Sequence, residues 1–284
     1  MMKRREFLIS CATAAASGSA WGQRPDQAKL DRVAVMSLCF APLLKGMARP
    51  GNPKATLDLA DLGGMVAERY GIHRVEFQHV DFPSTDSGYL REFLSRMKKA
   101  ASQTSQIDLD FANIDISSLD PVIRLETIEL TKRWIDHAAA LDCPRVMVNH
   151  GGLAQEARQT AIETLKTIDA YGKAKNVFLT MDPGNAPLDV VVEVVKAAGI
   201  RVSPDCGNFP DKQSRAAALP ALYKMTAGSS HVTHIPDKFD TAEAIKIAKE
   251  AGYKGLFSIN APSRNSPDPY AAVQTILDIV LANM

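Results

Sequence analysis

The chain has 284 residues, 46% of them hydrophobic and 23% charged, with 33 basic against 32 acidic side chains. That composition excludes a disordered or collagen-like chain, and a formal charge of +1 gives no electrostatic reason to expect nucleic acid as a partner. The length allows one or two domains, and a barrel of about 250 residues is commonly a single one.

The first predicted element is an export signal over residues 1–23. Lys3, Arg4 and Arg5 form a basic start, Phe7 to Ala16 a short apolar stretch, and Gly18, Ser19 and Ala20 a small-residue exit. This is the layout of a cleavable signal, too short to span a bilayer. Arg4-Arg5 followed by Glu6-Phe7-Leu8 resembles the twin-arginine signal. That resemblance implies the twin-arginine translocation machinery as a partner and a periplasmic location. Leu8-Ile9-Ser10-Cys11 also looks like a lipoprotein cleavage box. Cleavage at Cys11 would leave almost no apolar stretch, so no stable membrane anchor is expected. Removing residues 1–20 deletes three bases and Glu6, leaving 30 bases against 31 acids. Cys39, Cys143 and Cys206 remain, an odd number without a CxxC pair, and are expected as buried or half-buried free thiols.

Residues 24–284 read as one domain in which strand and helix alternate eight times. The strands are expected at 33–38, 74–78, 107–113, 145–149, 177–181, 201–204, 231–235 and 255–259. Helical periods fall near 59–70, 88–103, 121–141, 154–173, 188–198, 214–227, 241–251 and 269–282. Asp120-Pro121 and Asp240-Thr241 are helix starts, and Gly71, Gly199 and Gly252 are helix ends. The first strand runs into Cys39-Phe40-Ala41-Pro42 without GxGxxG, and neither a P-loop nor a GxSxG elbow occurs. The fold class expected is therefore α/β, a single (β/α)8 TIM barrel.

In such a barrel the carboxyl ends of the strands carry the active site. Asp182, Asp205, His234 and Asn260 would converge there from the fifth to the eighth strand. Two carboxylates, an imidazole and an amide oxygen suit a divalent metal such as Mn, Mg or Zn. Each also has a plainer reading. Asp182-Pro183-Gly184-Asn185 is a good turn, and Asp205 suits a cap through Gly207 or Asn208. His234, beside Asp237, suits a core hydrogen bond, and a neutral Asn260 is a weak ligand. His150, before two glycines, is a candidate ligand, a donor to substrate or a turn residue. Glu76, at the end of the second strand, is a candidate base or the partner of a neighbouring Arg or Lys. His231 is expected on the surface, at the far end of its strand, and His73, His79 and His137 are given no role.

The motifs "VEF" with Glu76, "VNHGG", "DCGNF", "HIPD" and "FSINAP", one per strand over residues 32–282, resemble the xylose isomerase-like TIM barrel superfamily of sugar isomerases and epimerases. Apurinic endonucleases are its distant relatives. The resemblance implies a metal held by Glu, Asp, His and Glu after strands five to eight, which fall on Asp182, Asp205, His234 and Asn260. It also implies that the two glutamates act as paired acid and base on a carbohydrate, with Mn, Mg, Zn or Co bound. This chain departs at both glutamates, since Asp182 is shorter and Asn260 cannot titrate. The usual Lys before the strand-seven Asp is Pro236, and a frequent His is Asn208.

Catalysis would then fall to one base, Asp182, Glu76 or His150. The expected activity is an isomerase or epimerase acting on a sugar or keto-sugar. A lyase of the same superfamily and a non-catalytic carbohydrate-binding barrel are the alternatives. A phosphodiester-cleaving relative is disfavoured, because that chemistry uses many histidines and only six occur. Assembly as a homo-oligomer stays open.

Overall fold

The structure, a computed structural model, describes residues 26–45, 55–111, 115–235, 238, 240–262 and 268–284. The expected signal at 1–23, Asn113, Pro236 and Asp237 lie outside the described residues. Eight parallel strands form the sheet: β1 (Val33–Met36), β2 (Arg74–Gln78), β3 (Gln103–Leu109), β4 (Arg145–Asn149), β5 (Phe178–Asp182), β6 (Arg201–Val202), β7 (Ser229–Val232) and β8 (Leu256–Ile259). Their spatial order is β6-β5-β4-β3-β2-β1-β8-β7. The two edges meet through bridges Val202↔Thr226 and Asp205↔His231, with the His231 N–H donating to the Pro204 carbonyl at 2.9 Å and the Cys206 N–H to the His231 carbonyl at 3.1 Å. The sheet is thereby closed, as the alternating pattern predicts.

The helices follow the expected punctuation. A short α1 (Gln27–Leu30) precedes β1, and α2 (Leu62–Tyr70), α3 (Ser87–Lys99), α4 (Pro121–Ala140), α5 (Arg158–Lys173), α6 (Leu188–Ala198), α7 (Lys212–Met225), α8 (Thr241–Glu250) and α9 (Pro269–Asn283) wrap the sheet. Asp120 caps α4 by accepting from the Val122 N–H, with Pro121 opening the helix, and Asp240 caps α8 through Ala242. Gly71, Gly199 and Gly252 all have positive φ, as residues just past a helix end require. Among the described residues no helix is long and apolar enough to cross a membrane.

Paired residues of a parallel ladder point to the same face, and the face alternates along each strand. Val35 pairs with Val75, Ile107 with Val146, and Val148 with Met181. These point outward and join Phe93, Trp134, Leu165, Val194, Ile245 and Leu277 in one apolar cluster between sheet and helices. Burial of this shell supplies most of the stabilisation, at roughly 25 cal/mol per Å² of apolar surface. The three cysteines are buried free thiols, which burial pushes up to about 12.

Several strand boundaries differ from the sequence reading by a few residues, and the starts of β3 and β7 matter for the site. β3 starts four residues earlier than expected and ends at Leu109. The pairing of Val75 with Thr104 and of Glu76 with Gln106 leaves Ser105 as an extra residue, a bulge that re-phases the rest of β3. β7 starts at Ser229 rather than His231. With two more residues in the strand, His231 pairs with Ser258 and faces inward. The expectation of a surface His231 is therefore wrong: it is 3% exposed.

Candidate functional site

The inward face of the barrel is polar over two tiers. In the lower tier, on β2, Glu76 is fully buried. Its Oε1 accepts from the Gln106 amide at 2.8 Å and meets His231 Nε2 at 2.6 Å, while Oε2 accepts from the Ser229 hydroxyl at 3.1 Å. Ser203 extends the network, its one hydroxyl proton shared between Gln106 Oε1 at 3.3 Å and Thr180 Oγ1 at 3.2 Å. Glu76 thus pairs with an imidazole, not with the Arg or Lys expected. Burial alone would raise the Glu76 carboxyl, but the His231 imidazolium and the hydrogen bonds outweigh it and hold the carboxyl below its ordinary value. Burial alone would depress His231, and Glu76 overrides that, holding the imidazole well above its usual range. The result is a buried ion pair inside hydrogen bonds.

Asp108, on β3, borders this pair. Its Oδ2 accepts from the Gln78 amide at 3.1 Å, and its Oδ1 is buried without a partner. Burial, followed by the Glu76 charge, pushes this carboxyl well above its ordinary value. Glu76, Asp108 and His231 offer ligand atoms all within 4.8 Å of one another, the one such group among the described residues, and could hold a metal ion. The orphaned Asp108 oxygen fits that reading. Against it, Glu76 Oε1 already receives two hydrogen bonds that an ion would displace. Neither Asp108 nor Gln106 was singled out by sequence reasoning. The period-two alternation of "QIDL" with "VEFQ" would place them inward once the bulge is known.

The upper tier is the carboxyl rim. Asn149 and Asp182 are paired in register, as are Asp205 and His231. Asp182 Oδ1 accepts from the Gly184 N–H at 2.8 Å and Oδ2 from the Asn208 amide at 3.3 Å. Burial pushes its carboxyl up to about 6, against the pull of the Gly184 N–H and with the help of the Asp205 charge. His150 lies directly over Gly184, where a Cβ would collide with the ring, and Gly184 has φ +52°. Burial depresses the His150 imidazole.

Asp205 is 9% exposed. Its Oδ1 accepts from the Gly207 N–H at 2.7 Å, and its Oδ2 accepts from the Asn260 amide at 3.2 Å and lies 3.9 Å from His231 Nδ1. The turn readings of Asp182 and Asp205 are thus both realised, and each aspartate still faces a second polar group. His231 spans the tiers, with Glu76 on one nitrogen and Asp205 near the other. His234 follows β7 by two residues, partly buried, with Nδ1 buried and without a partner. Among the described residues neither Asp182 nor Asp205 pairs with a lysine or arginine. Asp182, Asp205 and His234 are of metal-ligand type, but the described residues whose ligand atoms gather within 4.8 Å are Glu76, Asp108 and His231.

Residues 65–279 match the profile of the xylose isomerase-like TIM barrel family. Similar solved structures include an L-ribulose 3-epimerase, 15% identical, with a TM-score of 0.70 over 89% of this chain and 95% of that one. A D-psicose 3-epimerase with D-tagatose from Clostridium cellulolyticum H10 is 14% identical, with a TM-score of 0.70 over 88% and 98%. A xylose isomerase-like TIM barrel protein from Mycobacterium smegmatis in complex with magnesium is 16% identical, with a TM-score of 0.62 over 90% and 98%. No curated protein matches the chain by sequence.

Proposed function

The chain belongs to the xylose isomerase-like TIM barrel family, and from that premise we propose that it is a divalent-metal-dependent isomerase of a sugar or keto-sugar, acting at the carboxyl rim of the barrel. The observation that carries the reading is the rim pair itself. Asp182 and Asp205 are held by Asn208 and Asn260 with no lysine or arginine partner among the described residues, above a buried Glu76–His231 pair whose His231 Nδ1 lies 3.9 Å from Asp205. Asp182, Asp205 and His234, with the Asn260 carbonyl oxygen, are the proposed ligands. A divalent ion held there would supply Lewis-acid polarisation of a carbonyl.

The protein's own part is the proton. Burial raises the Asp182 carboxyl to about 6 in the metal-free protein, and as a carboxylate it can take a proton alpha to a carbonyl and return it. Asp182 is assigned that role. His150, packed over the Asp182 turn, is placed to hold a substrate hydroxyl. Asn260 cannot accept a proton, so the position where the family resemblance implies a second base holds none. One base on one face moves a proton between neighbouring carbons, which is isomerisation, or expels a leaving group, which is a lyase reaction. Epimerisation needs proton return to the opposite face and is the less natural outcome. Export through the twin-arginine machinery to the periplasm belongs to the same proposal and rests on residues 3–20.

The test is metal analysis of the purified protein together with solvent-deuterium incorporation into D-allulose, D-tagatose and D-fructose, followed by NMR. Stoichiometric Mn, Mg, Zn or Co and exchange abolished by Asp182→Asn are expected. Saturable sugar binding without exchange, whatever the metal content, would replace the enzyme by a carbohydrate-binding barrel.

A further inference from the structure

The opposite end of the barrel holds a second site. The amino-terminal ends of β2, β3 and β4 open onto a cavity of about 400 Å³, within the range of small-molecule sites. Its polar wall carries Arg74, Lys98, Arg145 and Ser105, and its apolar wall includes Met97 and Leu141.

Three observations point to the same ligand. First, Ser105 is the extra residue of the β3 bulge, and bulges re-aim side chains. It is 2% exposed, lines the cavity, and its hydroxyl has no partner. Second, Arg145, which lines the cavity while its guanidinium packs against Gly228, leaves its buried Nε without a partner. An unsatisfied buried donor is costly, and a ligand oxygen would relieve the cost. Third, the charge is unbalanced. The one acid in the lining, Asp142, is bound to Lys98 at 2.8 Å. Arg74 spends its Nε on the Asp31 carbonyl and its Nη1 on the Gln103 side chain, both neutral acceptors. Orphaned donors and surplus positive charge call for an anion, and the apolar wall calls for a hydrocarbon body.

We infer that this cavity binds a small organic carboxylate, its head on Ser105 and Arg145 and its body on Met97 and Leu141. Because TIM-barrel chemistry sits at the other rim, the ligand is an effector or passenger rather than the substrate.

The probe is hexanoate, titrated into the full chain and followed by thermal shift and by 15N–1H NMR. Saturable binding is expected, with amide shifts concentrated at 97–105 and 141–145. Hexan-1-ol and inorganic phosphate should each bind at least about tenfold more weakly. Ser105→Ala and Lys98→Gln, neither of which removes a core side chain, should each weaken hexanoate by about fivefold or more. Equal binding of hexan-1-ol overturns the anion requirement, and equal binding of phosphate overturns the apolar body. Shifts confined to the rim, undiminished affinity in both variants, or no binding overturn the site.

Discussion

Replacing His231 with alanine removes the cationic half of a pair whose other half is fully buried. Glu76 would keep its Gln106 and Ser229 hydrogen bonds but lose the 2.6 Å contact to His231. Breaking a buried pair by deleting one partner costs about 3–5 kcal/mol, because the remaining charge is left uncompensated. A domain of this kind is stable by about 5–15 kcal/mol, so the loss is large but survivable. Glu76→Ala should cost a similar amount by stranding the imidazole. Removing both leaves a cavity but no charge, so the double variant should fall short of additivity by about 2 kcal/mol. Urea unfolding followed by circular dichroism reads all three, with the midpoint moving and the slope unchanged. A His231→Ala variant within about 1 kcal/mol of wild type, or single losses that simply add, would refute the ion pair.

The same pair sets a pH window. Glu76 lies below its ordinary 4.5, so its contribution is present above that value and lost as pH falls through the lowered folded value. His231 lies above its ordinary 6.5, so its contribution is complete below 6.5 and lost as pH rises through the raised value. The stability gap between wild type and the double variant should therefore be widest between about 4.5 and 6.5, and a flat gap from pH 3 to 10 contradicts it. Asp182 acts with the opposite sign to Glu76: raised from 3.8 to about 6, it makes the metal-free protein less stable as pH climbs through that interval. Asp182→Asn should flatten that part of the melting-temperature profile. Gly184→Ala forces a side chain at φ +52° against His150; a loss of about 1–3 kcal/mol by thermal unfolding is expected. Asp205→Ala and His234→Ala should abolish metal uptake by elemental analysis while circular dichroism stays native, and Asn260→Glu should tighten it.

The barrel was legible because its signals are local. Each helix start and glycine stop lies within a few residues of the boundary it sets, and most outward strand residues are apolar, with Thr104 on β3 and Ser230 on β7 as exceptions. The polar interior was harder. Glu76 and Asp182 were visible as polar residues at strand ends, but His231 was misplaced because β7 was begun two residues late: such a shift keeps the face and moves His231 from the strand's first position, at the far end, to its third, inside the barrel. Asp108 and Gln106 were hidden by the Ser105 bulge, which no local propensity announces. What could not be read from the chain is the cross-barrel pairing of Glu76 with His231, 155 residues apart, since it depends on closure of the sheet.

That pairing also accounts for what Asn260 does. The family resemblance leads one to expect a glutamate there, facing Asp205. A second carboxylate beside Asp205 would repel it and demand a cation, whereas the Asn260 amide donates to Asp205 Oδ2 at 3.2 Å and satisfies it without one. His231, charged by Glu76, adds a positive group 3.9 Å from the same oxygen. Metal binding at Asp205 therefore has to compete with one amide donor and one nearby ring nitrogen. Asn260→Glu removes one competitor and adds a ligand charge, so it should raise metal affinity more than any change at Asp182. The size of that gain, measured by metal titration in the wild-type and His231→Asn backgrounds, separates the effect of the Asn260 amide from that of the His231 ring. If His231 restrains Asp205 as its distance implies, His231→Asn alone will also tighten the metal, and a weakened metal in that variant would show instead that the buried pair holds Asp205 in its binding geometry.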